Sequence, residues 1–564
     1  MVSKPLTEYE AVSAEPIPAA TVGGASRVGV DVREFSWLRP LAGEYAYNFR
    51  AVASLYAGDP TSREAWREAI ARAHAHRRAR TEVAALLATQ QSRRGAPPVA
   101  REAAARLAGA QTTAIVTGQQ AGAFGGPLFT LLKAVTALQL ARRTTQDHGI
   151  PCVAVFWVDA EDHDWEEVRS CTVLNAQFQP QTITLARLEG AGELPVASLQ
   201  FDHRIEQHLT ELESALPPTE FTASVLRQLR EAYRPGIGMG EAFARWLESV
   251  LGPYGLIVFE SADRAAKPLV GDIFQRELQE PGRTAALAAD AGNALAECGH
   301  EPQVVPQPGS LSLFHLDGAR RPIRPQGDGF LVGDTAYTRA TLEEEARTQP
   351  SRFSPNVLLR PIVQDTLFPT ICYVAGPSEL AYLGQLAGVY QRFGVPMPLM
   401  YPRATATLLD SAAARFLSKY SVRLSDLQPQ DESTLNRLLQ GLLPGSVEQA
   451  LKAAADAVQQ TMARVIAVLP ELDPTLAGAA RTTLGRMEHD LRNLHSKVIQ
   501  AAKRRDETLR RQFTRAQAQA FPLGDPQERT LAVVYFLNRY GPALVDRLLD
   551  ELPLELGRHW LITV

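Results

Sequence analysis

A β-branched run, Ala114-Ile-Val-Thr117, breaks into a loop holding Gly118, Gly122, Gly125 and Gly126. The chain then resumes with helical period from Pro127 to Ala141. Strand, glycine loop and helix in that order point to an α/β arrangement, in which a buried strand hands over to a helix packed on its sheet. Pro127 suits the first helical turn. Such a junction offers free backbone N–H groups to an anion, and Gln119 and Gln120 add two neutral amide side chains. The loop lacks the Gly-Lys-Ser/Thr ending of a P-loop, and its glycines miss the G-x-G-x-x-G spacing. A ligand loop and a tight structural turn both stay open.

A second strand follows. Pro151-Cys-Val-Ala-Val-Phe-Trp-Val158 is continuously apolar, as in a parallel strand covered on both faces. It ends in Asp159-Ala-Glu-Asp-His-Asp-Trp-Glu-Glu167. Ligands of open α/β sheets sit outside the carboxyl ends of the strands, so Asp159, Glu161, Asp162, His163 and Asp164 are candidates to hold an amine, act as base or bind a metal. A plainer reading is an acidic helix start favoured by the helix dipole. One His among carboxylates lacks zinc spacing, so no tightly bound metal is expected.

Three more buried runs continue the pattern at Gly255–Glu260, Thr370–Ala375 and Met397–Tyr401. Crossovers of this length favour a parallel, doubly wound sheet. Residues 60–108 read as helical, 168–235 as a mixed insert and 301–345 as a small β-rich insert. The division expected is a core over 1–407, a helical coiled-coil domain over 408–520, and a helical segment over 521–564 that returns to the core. Within 475–519, Leu484, Met487, Leu491, Leu494, Val498 and Ala501 alternate steps of three and four. That is a coiled-coil seam, read as a homodimer contact, with an intramolecular hairpin as the alternative. Between 481 and 515 lie ten Lys/Arg against four Asp/Glu. Lys503, Arg504 and Arg511 there form either a solvated face or a phosphate-binding surface.

Composition excludes several classes. The net charge of −4 argues against a general nucleic-acid binder. Four cysteines without a C-x-x-C pair suit a reducing compartment. No run reaches membrane-spanning length, and the first residues carry no signal-peptide core. A cytoplasmic protein without membrane contact is expected.

Thr117-Gly-Gln-Gln120, Gly125-Gly-Pro127, Phe156-Trp157 and Glu161-Asp-His-Asp164 resemble the bacillithiol synthase family of cysteine-adding enzymes. Further matches are Leu359-Arg-Pro361, Gln364-Asp365, Gly376-Pro-Ser-Glu379 and Phe536-Leu-Asn-Arg-Tyr-Gly541. The resemblance covers nearly the whole chain, in order. It implies a Rossmann-like α/β core akin to class I aminoacyl-tRNA synthetases, inserted connecting segments and a coiled-coil domain that dimerises. It also implies a reaction, the joining of the cysteine carboxyl group to the amine of glucosaminyl malate. The chain departs from the family pattern at Cys298-Gly-His300, where an aromatic would follow the glycine.

Amide formation from a carboxylate in water needs activation, so ATP carrying Mg²⁺, released as ADP or cleaved through an adenylate, is the expected cofactor. In this scheme backbone N–H groups at Gly118, Gly125 and Gly126, with Gln119 and Gln120, hold an anion. Glu161, Asp162 and His163 orient or deprotonate the attacking amine. Arg360 pairs with a carboxylate, and Glu379 binds an amine or caps a helix. The alternatives are a nucleotidyl- or glycosyltransferase on the same core and a non-catalytic coiled-coil scaffold.

Overall fold

The computed structural model describes residues 27–441, 445–473, 475–505 and 507–564, without the side chains of 502–505. They fall into two compact units.

The larger unit comprises residues 27–407 with 527–562. At its centre lie β1 (Thr113–Gln120), β2 (Cys152–Asp159), β3 (Leu256–Glu260), β4 (Thr370–Ala375) and β5 (Leu399–Pro402). All pair in parallel, in the order β5-β4-β1-β2-β3. Both faces are covered, which is why each strand reads as an unbroken apolar run. The chain lays down β1, β2 and β3 toward one edge, then returns to place β4 on the other side of β1. The strand order therefore reverses between β1 and β4, the place where an open α/β sheet leaves a crevice beyond its strand ends. The Thr117 hydroxyl donates to the Val374 carbonyl across that junction at 2.9 Å.

Helix α1 (Leu128–His148) links β1 to β2, one residue later than the sequence suggests, with Pro127 as its N-cap. The helical reading of 60–108 resolves into Arg63–Ala75, Arg80–Arg94 and Pro98–Arg106. The first insert contains an antiparallel hairpin, Ser170–Leu174 with Pro180–Thr184, followed by helices Arg204–Ala215 and Thr222–Ala232. The second is a five-stranded antiparallel sheet. Its last strand, Phe353–Pro355, lies beyond the expected limit at 345 because it pairs back onto Leu313–Leu316.

The C-terminal segment is not wholly helical. After helices Gln527–Thr530, Val533–Tyr540 and Ala543–Glu551 it ends in a strand, Arg558–Thr563. That strand pairs antiparallel with Arg27–Asp31 from the other end of the chain. The sequence hides this, because neither strand has its partner nearby in the chain. Arg403 grips Glu528 of this segment through both terminal nitrogens, at 2.9 and 2.7 Å, with both side chains buried.

The smaller unit contains the described parts of 408–526. Helices Gly445–Val468 and Leu476–Arg505 pack against each other as a hairpin, tied by His495 to Glu448 at 3.4 Å. Helix Glu507–Ala520 packs on Ser411–Tyr420. No described helix is long and apolar enough to cross a membrane.

Candidate functional site

A cleft of about 410 Å³ opens at the carboxyl ends of the core strands. The acidic cluster after β2 lines it with Asp159, Glu161, Asp162 and Glu167, and the end of β1 with Gly118, Gln119 and Gln120. Arg360, Tyr373, Glu379 and Tyr382 come from the β4 side, and Arg320 comes from the β-rich insert. The two strand ends suspected from the sequence therefore do face one hollow.

The two glutamines present opposite faces to it. Lys133, on α1, donates to the Gln119 Oε1 at 3.1 Å. An ammonium can only donate, so the Gln119 oxygen must face it, which leaves the Gln119 NH₂ as the group offered to the cleft. Gln120 does the reverse, since its Nε2 donates to the Glu167 carboxylate at 2.9 Å. A carboxylate can only accept, so Gln120 offers its carbonyl oxygen. A donor and an acceptor thus stand side by side on β1, locked by charged partners.

Lys133 is the residue the sequence reading missed. Its Nζ also donates to the Gly118 carbonyl at 2.8 Å and pairs with Glu379 at 2.7 Å. Burial pushes this ammonium below its usual value, against the pull of Glu379. The available signal was a lone lysine inside an apolar helix, Leu131-Leu-Lys-Ala-Val135. Glu379 also accepts from the Gly376 N–H, closing the turn after β4. It is held by two donors within the protein, and although it stands at the N-cap of the helix Leu380–Gly384 its side chain does not cap that helix.

On the acidic side, Asp159 is pushed above the ordinary carboxyl value by burial, opposed by the Arg360 guanidinium. Arg360 lies 3.8 Å from Asp159 and donates to Gln364 and to the Tyr382 hydroxyl. Asp162 Oδ1 accepts from Arg320 at 3.2 Å and faces the His163 Nδ1 at 3.0 Å. Glu161 is buried against Lys267, and its second oxygen has no protein partner among the described residues. The same is true of the Trp157 indole N–H and the Ser261 hydroxyl, which also line the cleft. All three are polar groups that a molecule in the cleft can meet.

Three expectations need correction. The His163 ring is half exposed, is not among the residues lining the cleft, and contacts Asp162, which is. Asp164 caps the short helix Trp165–Val168 through the Glu167 N–H, so part of the acidic run is a helix start after all. The glycines of the loop spend their N–H groups within the protein. The Gly122 N–H bonds to the Gln120 carbonyl, Gly125 to the Tyr233 hydroxyl and Gly126 to the Ala123 carbonyl. The Leu128 N–H at the helix start is taken by the Leu531 carbonyl of the C-terminal segment. Gly125 is required because Trp246 packs where a Cβ would stand, 2.1 Å from its ring, and because its φ is +95°. Neither Gly125 nor Gly126 lines the cleft.

Of the basic residues singled out in the sequence, Arg511 is an exposed side chain on Glu507–Ala520. The side chains of Lys503 and Arg504 lie outside the described residues.

Comparison with known proteins gives two matching family models. Residues 30–404 match "Bacillithiol biosynthesis BshC, N-terminal Rossmann-like domain" and residues 406–564 match "Bacillithiol biosynthesis BshC, C-terminal coiled-coil domain". Relatives with the curated name "Putative cysteine ligase BshC" include one from Salinibacter ruber, 35% identical over 92% of this chain and 95% of its own length. Another from Koribacter versatilis is 35% identical over 84% and 87%, and one from Symbiobacterium thermophilum 34% over 85% and 88%.

Proposed function

The chain belongs to the bacillithiol biosynthesis BshC family and is a cysteine ligase by class, and on that premise we propose that it joins the carboxyl group of cysteine to the amine of glucosaminyl malate. The observation that carries this reading is the pair of oppositely turned amides, Gln119 and Gln120, beside Asp159 and Asp162 in one cleft.

Amide formation needs an oxygen donor site and an amine acceptor site within bonding distance of each other. The Gln119 NH₂ supports the carbonyl oxygen of an activated cysteine, where negative charge grows as the amine attacks. The Gln120 carbonyl orients one amine hydrogen. Asp162, a partly exposed carboxylate of this wall, takes the proton the attacking amine must lose. Lys133 fixes Gln119 and so acts through it, as a positioning residue.

ATP with Mg²⁺ is the proposed source of activation. The glycine loop is a poor fit for a triphosphate, since the N–H groups of Gly122, Gly125 and Gly126 are spent within the protein. No step is therefore assigned to that loop, and the residues of the cleft are assigned only to the activated carboxyl and the amine. We further propose that the hairpin seam is covered by a second copy of the chain. Met487 and Leu494 are 41% and 49% exposed on the hairpin by itself, an unfavourable display of apolar surface. Cytoplasmic location is part of the same proposal.

The test is incubation of the full chain with cysteine, glucosaminyl malate, ATP and Mg²⁺, with the thiol product read by mass spectrometry. Product formation that is lost in Gln119→Ala and retained in Lys419→Ala, a change at an exposed lysine of the helix Ser411–Tyr420, supports the reading. Consumption of a sugar-nucleotide in place of ATP supports a transferase instead.

A further inference from the structure

The two guanidinium groups of the cleft differ in kind from the other buried arginines. Arg94 is met by both oxygens of Glu248 and by Glu260, and Arg403 by both oxygens of Glu528. Each of those cations is clamped by both oxygens of one carboxylate and serves the fold. Arg320 has one carboxylate contact, to a single oxygen of Asp162 at 3.2 Å. Its other bonds go to the Pro355 carbonyl at 3.1 Å and the Ser354 hydroxyl at 3.4 Å. Among the described residues Arg360 has no carboxylate within hydrogen-bond distance, Asp159 standing at 3.8 Å. A guanidinium carries five N–H donors, so each keeps some free while lining the same cleft.

Both groups are also held flat and in place. The Arg320 guanidinium lies 3.8 Å over the Phe314 ring, and its side chain is only 8% exposed. The hairpin that carries it is registered by Leu316 opposite Arg320. Arg360 is fixed by Gln364 and Tyr382. Both arginines line one cleft, Arg360 standing nearest Asp159 and Arg320 meeting Asp162. Two planar, pre-ordered guanidinium groups with unspent donors suit two carboxylates on one small molecule.

We infer that Arg320 and Arg360 together read the two carboxylates of the malyl group, so that the β-rich insert supplies a specificity-determining residue of the site. This rests on the ligase reading above. It assigns the malyl end of the amine substrate to the arginine side of the cleft, and leaves the amine to reach Gln120 and Asp162.

The experiment compares kcat/KM for glucosaminyl malate with that for methyl glucosaminide, which has the amine but no carboxylate, in the wild-type enzyme, Arg320→Gln and Arg320→Lys. The preference for the malyl sugar is expected to fall between about 10- and 100-fold in Arg320→Gln, the worth of a charge-assisted bond. Arg320→Lys should recover part of it, since a point charge replaces a planar fork. Unchanged preference in Arg320→Gln, or an equal loss on both sugars, overturns the inference. If wild-type enzyme converts neither sugar, the ligase reading fails separately. Calorimetric binding of the two sugars to wild type and Arg320→Gln then decides the inference by the same ratio. Should Arg320→Gln not fold, Arg320→Lys and Arg360→Lys carry the comparison.

Discussion

Two stretches of the same strand-to-helix junction, a few residues apart, have opposite fates. Gln119 and Gln120 end β1 with side chains turned by charged partners toward a cleft. Gly122 to Gly126 carry the composition usually associated with anion binding, yet they are packed under Tyr233 and Trp246 and sealed by Leu531 and Val533 of the C-terminal segment. Glycine enrichment records only that backbone must come close to something. Here that something is the protein itself, whereas the polar side chains next door have partners on one side only.

The comparison implies that changes in the cleft cost activity and changes in the loop cost stability. The largest effect is expected from Asp162→Asn, which keeps the shape of the wall but removes the proposed base. Its kcat/KM should drop about 10³-fold with little change in melting temperature. An activity within threefold of wild type would remove Asp162 from the chemistry. Gly125→Ala should do the opposite, losing about 4 kcal/mol of stability from the positive φ and the clash with Trp246. Denaturant unfolding measures this, and activity per folded molecule should hold. A stable Gly125→Ala protein that has lost activity would return the loop to the active site.

A smaller effect concerns the segment that seals the loop. His559 lies beside the Arg403–Glu528 pair, with its Nε2 2.8 Å from the Thr407 hydroxyl, and burial lowers its pKa to about 4. The folded protein therefore holds this ring neutral below the unfolded value of 6.5. Between those values the unfolded state binds the extra proton, so stability is full above 6.5 and falls as pH drops toward 4. The loss is about 3 kcal/mol. Asp159, Asp365 and Glu248 have raised values and tilt the other way. The measurement is accordingly the difference between wild type and His559→Gln in melting temperature from pH 7 to 4.5, which should narrow with acid. Parallel curves would show that His559 titrates normally. Smallest of all, His163→Ala is expected to change kcat/KM by less than about threefold, since a half-exposed ion-pair partner contributes little. A loss near that of Asp162→Asn would place the imidazole in the reaction.

Much of the core was legible because parallel strands covered on both faces must be apolar throughout. That signature marked all five core strands near their observed positions. The acidic strand end was legible for a similar reason, because five ionisable residues directly after a buried run have few places to go. Lys133 and Arg320 were not. The first meets Gly118, Gln119 and Glu379, of which Glu379 lies far along the chain, and the second sits in a hairpin 158 residues from the Asp162 it meets. The terminal strand Arg558–Thr563 was missed because its partner is Arg27–Asp31.

By itself the amino-acid sequence determined where backbone hydrogen bonding would be local or in a sheet, since that depends on the period of apolar residues along a few turns or strand steps. Which polar groups would end up unpaid by the protein, and so available to a substrate, was decided only by tertiary structure. Charge and hydrogen bonding act over a few ångströms in space, and folding brings together Gln119 with Lys133, Asp162 with Arg320, and Gly125 with Trp246 regardless of their separation along the chain.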